Sequence, residues 1–179
     1  MSVFSNPKSA AADAATAYIA ALLDLLGDRD PMTVLRATEK ALRDAIEAVP
    51  PAVLRRPEKP GKWSALEVLQ HLADSELVWS YRMRLVAAED RPTLTGYDQD
   101  AWVTGLGYRD VDPDDALEQF ALLRRLNLRL LDGLPPEGLA RVGVHNERGD
   151  ESLGHMVRLY AGHDLVHLRQ LERVLAAVR

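Results

Sequence analysis

The sequence predicts an all-α protein, an up-and-down four-helix bundle with an additional N-terminal helix. Apolar residues recur every three or four positions along nearly the whole chain, whereas alternation with a period of two is almost absent. Prolines, glycines and capping residues divide this pattern into one short helical segment and four long ones of about 17 to 28 residues. Long segments of this kind are typical of a bundle whose apolar faces meet in one core.

The 179 residues are expected to form a single domain, with the core bundle over residues 30–178 and the N-terminal helix over residues 9–26. Apolar residues make up 47% of the chain and charged residues 27%, which is typical of a soluble globular protein. The net charge of −5 argues against a nucleic-acid partner. We expect a cytoplasmic protein, because the sequence contains neither a membrane-spanning apolar stretch nor a signal-peptide pattern.

The first two helices have well-marked boundaries. Gly27 follows the N-terminal helix at a position that favours a left-handed C-terminal cap. Asp30-Pro31 provides an N-cap and a proline at the first helical position of the next helix. That helix is predicted to end at Pro50-Pro51, and its apolar stripe consists of Val34, Leu35, Leu42, Ile46 and Val49.

The following long helix begins at a capping box, in which Ser64 and Glu67 each satisfy a backbone N–H group of the other. It is predicted to continue to Ala88. The residues 90–112 that come next are irregular, but they are too aromatic for a simple linker. We therefore expect them to fold back over the bundle.

The last two long helices are separated by a short turn. Asp112-Pro113 opens the first of them, with further acidic residues in the first turn, where the helix dipole favours negative charge. Gly133 and Pro135-Pro136 end it. Residues 140–150 predict a short hairpin-like turn, and the final helix is predicted over residues 151–178.

The candidate metal ligands are histidines, because the chain contains no cysteine. His163 and His167 stand on the apolar stripe of the final helix, and their spacing of four residues projects both imidazoles to one side. Both could reach one ion at about 2.0–2.1 Å. His71 lies on the apolar stripe of the helix that begins at Ser64, and the small side chain of Ser75 one turn later leaves room for an ion.

The same histidines also have a purely structural interpretation. A single histidine on an apolar face is more often a core residue with a hydrogen-bond partner than a ligand, and the residues alone leave both interpretations open for this set. Two other histidines are not predicted ligands. His155 lies about 80° off the stripe of the final helix, and His145 lies in the hairpin-like turn.

No catalytic residue is assigned from a motif. HDLVH has the spacing of the zinc metalloprotease motif, but Asp164 stands where that motif has a glutamate as general base. The downstream glycine and histidine of the metzincins are missing as well. The chain also lacks a nucleophile elbow, a P-loop and a dinucleotide-binding fingerprint.

The chain resembles the DinB-like superfamily over roughly residues 30–178. The resemblance rests on a Trp-Ser pair before the helix that carries the first histidine, and on a closing helix with the pattern H-x-x-x-H-x-x-Q. The segments that carry it are KWSALEVLQHLADSELVWSYRMR, GYDQDAW and ERGDESLGHMVRLYAGHDLVHLRQLERVL. The resemblance implies a four-helix bundle that binds one divalent ion, zinc or nickel, with His71, His163 and His167 as its ligands.

For function, the resemblance implies a metal-dependent enzyme acting on a small molecule. The ion would activate either a low-molecular-weight thiol cosubstrate or water, as in an S-transferase or a hydrolase. The alternative is a non-enzymatic, stress-related metal-binding or scaffold protein. Gln170, Tyr160 and Asp74 are candidates for lining the cavity beside the ion. A homodimer is expected from the frequency of two-fold assemblies, and neither nucleic acid nor membrane is an expected partner.

Overall fold

The protein is described by a computed structural model, with the backbone described from residue 12 and the side chains from residue 16 to the C-terminus. The α-helices of the described residues are α1 (Ala12–Leu26), α2 (Pro31–Ile46), α3 (Pro51–Leu54), α4 (Ala65–Ala88), α5 (Gln99–Gly105), α6 (Pro113–Asp132) and α7 (Leu153–Val178). A short 3-10 helix spans Pro136–Ala140. Helices α3 and α5 are short, and none of the helices in the described part of the chain is both long and apolar enough to cross a membrane.

The four long helices α2, α4, α6 and α7 form a four-helix bundle, as the sequence predicts. The order around the bundle is α2, α7, α4, α6, so α2 lies diagonally opposite α4, and α6 lies opposite α7. The additional helix α1 packs on α7. The two helices come close at Gly162, where a β-carbon would lie 2.5 Å from the carbonyl oxygen of Leu22. Residues 9–11 of the predicted N-terminal helix lie outside the described part.

Most helix starts follow the predicted capping residues. Asp30 caps α2 by accepting a hydrogen bond from the backbone of Thr33, and Ser64 and Glu67 form the predicted capping box of α4. Helix α7 begins two residues later than predicted, because the residues before it belong to a strand and Ser152 is its N-cap. The short helices α3 and α5 were not predicted, since four and seven residues carry too little periodicity to be recognised.

A small three-stranded sheet closes one side of the bundle. Its strands are β1 (Thr93–Leu94), β2 (Val142–His145) and β3 (Gly149–Ser152), in the order β1-β2-β3. Strands β2 and β3 form the hairpin predicted at residues 140–150. Strand β1 comes from the irregular segment after α4 and pairs with β2 in parallel, with Leu94 opposite His145. This pairing is the contact by which part of residues 90–112 folds back onto the rest of the chain.

The core of the bundle consists of two apolar clusters with a polar layer between them. One cluster contains Leu35 and Met83, and the other contains Leu42 and Phe120. The polar side chains of the layer are all buried, and they come from all four long helices. They are Thr38 on α2, Glu76 on α4, Arg124 and Asn127 on α6, and Asp164 on α7.

Arg124 is the centre of this polar layer. Its Nε donates to Oε1 of Glu76 at 2.9 Å, and its Nη1 lies 2.8 Å from Oδ2 of Asp164. The same carboxylate of Asp164 accepts a hydrogen bond of 2.7 Å from the hydroxyl of Thr38. Asn127 donates to the other oxygen of Glu76 at 3.0 Å. Nη1 of Arg124 also donates to the carbonyl oxygen of Leu35 in α2 at 2.6 Å. One guanidinium group, 1% exposed, therefore joins all four long helices.

Replacing Arg124 by Met is expected to lower the free energy of unfolding by about 3–5 kcal/mol, because two carboxylates would remain buried without their cation. Methionine preserves apolar contact with the neighbouring rings of Phe120 and Tyr160. Urea unfolding measures the change. Arg125→Met removes an exposed arginine one residue later on the same helix and is expected to change stability by at most about 0.5 kcal/mol. Equal losses in the two variants would contradict a special role for Arg124.

Candidate metal centre

The three predicted histidines come together between two neighbouring helices of the bundle. His71 extends from α4, and His163 and His167 extend from α7. One ring nitrogen from each lies within 4.8 Å of those of the other two, and all three side chains are buried. Histidines separated by 92 residues in the sequence therefore form one cluster.

The geometry of the cluster fits a divalent metal ion. Nε2 of His71 lies 3.2 Å from Nε2 of His163. Two nitrogens that bind one zinc ion at the usual distance and a tetrahedral angle are about 3.4 Å apart. On His167, Nδ1 is 2.9 Å from Oε1 of Gln170, which makes Nδ1 the protonated nitrogen and leaves a lone pair on Nε2. That Nε2 is buried and has no hydrogen-bond partner among the described residues, as a free ligand position requires.

The protonation of the cluster also suits metal binding. Burial lowers the pKa of His163 to about 3, and the positive charge of Arg124 acts in the same direction. Burial is the main cause that lowers the pKa of His71 and of His167 well below the ordinary value, with a further contribution from the neighbouring histidines. All three imidazoles are therefore neutral at pH 7, which is the form that binds a metal ion.

An aromatic side chain and two hydroxyl groups border the cluster. The ring of Trp63 lies 5.0 Å from that of His71 and stacks nearly parallel to that of His167 at 6.4 Å. Oγ of Ser75 lies 3.5 Å from Nε2 of His71 and 3.2 Å from the hydroxyl of Tyr97. Within the described part of the chain, no carboxylate joins the three histidines. The cluster thus offers three ligands, an apolar wall and a pair of hydroxyls.

Tyr97 and Trp63 were not recognised from the sequence as site residues. Tyr97 lies in the segment between β1 and α5, where its ring packs on that of Trp102 at 4.5 Å. This segment has no periodicity from which the direction of a side chain could be read. Trp63 directly precedes Ser64, the N-cap of α4. The Trp-Ser pair in the DinB-like resemblance was the one signal that pointed to Trp63.

Two of the other sequence candidates lie beside the cluster without joining it. Gln170 fixes the tautomer of His167 as described above. Asp74 lies one turn after His71, but its carboxylate accepts hydrogen bonds from the hydroxyl of Tyr108 at 2.6 Å and from the amide of Gln119 at 2.8 Å. Asp74 therefore anchors the segment after α5. Its side chain is partly exposed and lies at the edge of the site.

The remaining candidates lie elsewhere. Tyr160 belongs to the core, where its ring lies over the guanidinium of Arg124. Asp164, at the position of the metalloprotease glutamate, is bound in the polar layer and does not stand beside the histidines as a general base. His145 is buried in β2 and His155 is half-buried in the first turn of α7, so neither joins the cluster, in agreement with the sequence analysis.

Comparisons with known proteins agree with this architecture. A sequence model of the DinB superfamily matches residues 34–171. YfiT of Bacillus subtilis is 29% identical over 147 residues, which cover 78% of this chain and 81% of YfiT. The solved structure of YfiT, described as a probable metal-dependent hydrolase with an unusual four-helix bundle topology, superposes with a TM-score of 0.73 at 26% identity. That superposition covers 82% of this chain and 86% of the other.

A second relative comes from Oceanobacillus iheyensis and carries the name "Putative metal-dependent hydrolase OB0782". It is 29% identical over 113 residues, which cover 63% of this chain. The match spans 65% of the length of that relative, slightly less than two thirds.

Metal content provides a direct test of the predicted ligands. The parent protein, loaded with zinc and dialysed, is expected to retain one ion per chain, and His71→Ala, His163→Ala and His167→Ala are each expected to lose it. Gln170→Ala is expected to weaken zinc binding by about 10- to 100-fold, because the orientation of His167 is no longer fixed. His145→Ala and His155→Ala serve as controls and should retain the ion. Unchanged zinc content in the first three variants would contradict the ligand assignment.

The stability of the metal-free protein is expected to decrease in acid. The folded state keeps the three imidazoles neutral, whereas the unfolded chain takes up protons near the ordinary histidine pKa of about 6.5. The unfolded state therefore binds more protons, and the free energy of unfolding falls as the pH decreases below about 6.5. Urea unfolding of chelator-treated protein between about pH 7.5 and about pH 5 measures this slope. His167→Gln should have a shallower slope; equal slopes would contradict the assigned protonation states.

Proposed function

The chain belongs to the DinB superfamily, and from that membership we propose that it is a metal-dependent hydrolase of a small-molecule substrate. His71, His163 and His167 would hold one divalent ion, zinc or nickel, both of which suit imidazole ligands. The observation that carries the proposal is the cluster of three buried, neutral imidazoles, one of which has an unpartnered Nε2. The names of the relatives as metal-dependent hydrolases support the same assignment.

The number of ligands favours a catalytic role over a structural one. Structural zinc sites are closed by four protein ligands, whereas catalytic sites have three and keep a position for water or substrate. The described residues offer three, and no carboxylate stands near enough to complete the set. A zinc ion bound in this way supplies Lewis acidity and lowers the pKa of its water to about 7, which provides a nucleophile near neutral pH.

The hydroxyls of Ser75 and Tyr97 are the groups that would act on the substrate. They are hydrogen-bonded to each other beside His71. Burial raises the pKa of Tyr97, so its phenol remains protonated at neutral pH. We propose that Tyr97 donates a hydrogen bond to the substrate oxygen on which negative charge develops. Trp63 would exclude water from the opposite side through its contact with His71 and His167.

Two other functions, an S-transferase and a scaffold protein, predict different results in the substrate test described below. An S-transferase would use the site to bind the sulfur of a low-molecular-weight thiol, and because the chain has no cysteine, the nucleophile would come with that cosubstrate. A scaffold protein would hold the ion without turnover. The hydrolase is preferred because the relatives are named as metal-dependent hydrolases, and because the three neutral ligands suit the activation of water.

A panel of small ester and amide substrates, offered to the zinc-loaded protein, tests the proposed function. Turnover is expected to disappear after chelation and to return with zinc. Tyr97→Phe is expected to retain the ion and to lose about 100-fold in kcat, a loss of the size seen for one oxyanion-stabilising donor. Tyr81→Phe, which alters an exposed tyrosine on α4, should keep full activity.

The outcomes separate the three functions. Turnover that requires an added thiol would overturn the hydrolase in favour of an S-transferase. Absence of zinc-dependent turnover with and without thiol, across the panel, would favour the scaffold.

A further inference from the structure

Arg82, on α4, is a buried arginine without an acidic partner. Its side chain is 6% exposed, and its Nη2 donates to the backbone carbonyl of Thr95. Among the described residues, no carboxylate lies within ion-pair distance of it, and no other hydrogen bond reaches it. Burying a cation without a carboxylate partner lowers the stability of the folded state, because the charge loses its hydration without gaining an ion pair.

Two other arginines with little exposed side-chain surface, Arg124 and Arg148, are paired with carboxylates. Arg124 lies between two carboxylates, as described above. Arg148 forms a two-pronged ion pair with Glu151, with distances of 2.6 and 2.8 Å. The charge of Glu151 acts on Arg82, but Arg148 occupies both oxygens of that carboxylate, so Glu151 is not free to pair with Arg82. The exposed Glu147 lies instead against Gly96, where a β-carbon would be 2.9 Å from its Oε1.

His145, beside this arginine, has a second donor without a partner. Its Nδ1 accepts a hydrogen bond of 3.2 Å from the backbone N–H of Glu147. The proton of the neutral ring therefore stands on Nε2, which is buried and has no partner among the described residues. His145 itself is 2% exposed. A buried N–H group without a partner can bind a hydrogen-bond acceptor but not a cation.

The sheet brings these two donors together. Leu94 in β1 pairs with His145 in β2, and Thr95, the next residue, accepts the hydrogen bond from Arg82. The electrostatics agree with this closeness. Burial lowers the pKa of His145 to about 4, and the positive charges of Arg148 and Arg82 act in the same direction. Burial and the charge of Arg148 lower the pKa of Arg82 to about 10, although Tyr97, Glu151 and Glu147 act in the opposite direction. At neutral pH, Arg82 is still a cation and His145 is still neutral.

The location relates these donors to the histidine cluster. Arg82 follows His71 by eleven residues on α4, which places both on one face of the helix with their Cα atoms about 16 Å apart along its axis. Its long side chain inclines toward the N-terminus of the helix and so toward the cluster. Ser75 and the hydroxyl of Tyr97 lie between the two positions. One face of α4 thus carries the ligand His71 near one end and Arg82, which has no carboxylate partner, near the other.

We propose that Arg82 and His145 form a subsite for an oxyanion, a carboxylate or phosphate group, carried by the substrate. Nε2 of His145 has no acceptor, and the guanidinium of Arg82 has one backbone carbonyl and no carboxylate for its five N–H groups. A guanidinium group binds planar oxyanions through paired hydrogen bonds. A metal ion is excluded at this position, because neither group presents a lone pair to it. The link to catalysis rests on the proposed function and narrows it to substrates with a negative charge. The anion subsite itself does not depend on hydrolysis.

Anion binding to the metal-free protein is the test, since phosphate would also bind to a zinc ion directly. Inorganic phosphate and acetate are titrated in low-salt Tris buffer, whose chloride counter-ion is not an oxyanion, with chemical-shift changes and the unfolding temperature as readouts. We expect saturable binding of at least one anion, and the preferred one tells phosphate from carboxylate. Arg82→Met should weaken that binding at least tenfold, while Arg84→Met, which alters an exposed arginine on the same helix, should leave it unchanged.

The unfolding temperature of the parent and of Arg82→Met in buffer without phosphate or acetate provides a second readout. A merely structural Arg82 would make Arg82→Met less stable, whereas an unpartnered cation predicts a variant with an unfolding temperature equal to or above that of the parent. Absence of saturable binding to the parent, or equal binding by Arg82→Met, would overturn the subsite.

The failures of the two proposals can be told apart. Saturable anion binding without zinc-dependent turnover would support the anion subsite and contradict the proposed hydrolase activity. Equal turnover of a carboxylate-bearing ester and its neutral analogue would support the hydrolase activity and contradict a role of Arg82 in substrate binding.

Discussion

The pairing of Arg124 with Glu76 and Asp164 is the interaction on which the arrangement of the bundle depends. The guanidinium group is buried between two carboxylates from different helices, and the carbonyl of Leu35 and the hydroxyl of Thr38 connect the fourth helix, α2. Burial raises the pKa of Glu76, while the charge of Arg124 acts in the opposite direction. Apolar contacts tolerate a shift of one helix along another, but charges in a core do not, because each separation leaves a charge without its partner. The network therefore fixes the relative register of α4, α6 and α7.

The candidate metal centre follows from this register. His163 directly precedes Asp164, and Ser75 directly precedes Glu76. Consecutive residues of a helix point about 100° apart, so each pair sends one side chain into the polar layer and the other toward the histidine cluster. When Arg124 holds Asp164 and Glu76 at one level of the bundle, the imidazole of His163 meets that of His71 at the same level. The buried ion pairs thus act in positioning the site, although none of their charged groups takes part in it.

The sequence predicts the parts of this structure that depend on local patterns. Ser64 and its capping box mark the start of α4. The three histidines could be named because all stand on apolar helical stripes, two of them four residues apart, and because the family resemblance implies the same three ligands. Contacts between distant segments could not be predicted in the same way. The position of Tyr97 depends on the pairing of Thr93–Leu94 with a strand about fifty residues later, and two residues carry no periodic signal. The partners of Arg124 depend on the order of helices around the bundle, which the sequence of elements does not determine.

X-ray absorption spectroscopy of the zinc-loaded protein tests the central claim most directly, because it counts the imidazole groups bound to the ion. The account predicts three imidazole nitrogens at about 2.0–2.1 Å and at least one further light atom from water. In His71→Ala, the spectrum should lose one imidazole, or the ion should be lost altogether. A shell composed of oxygen atoms, or three imidazoles that persist in His71→Ala, would contradict the proposed centre.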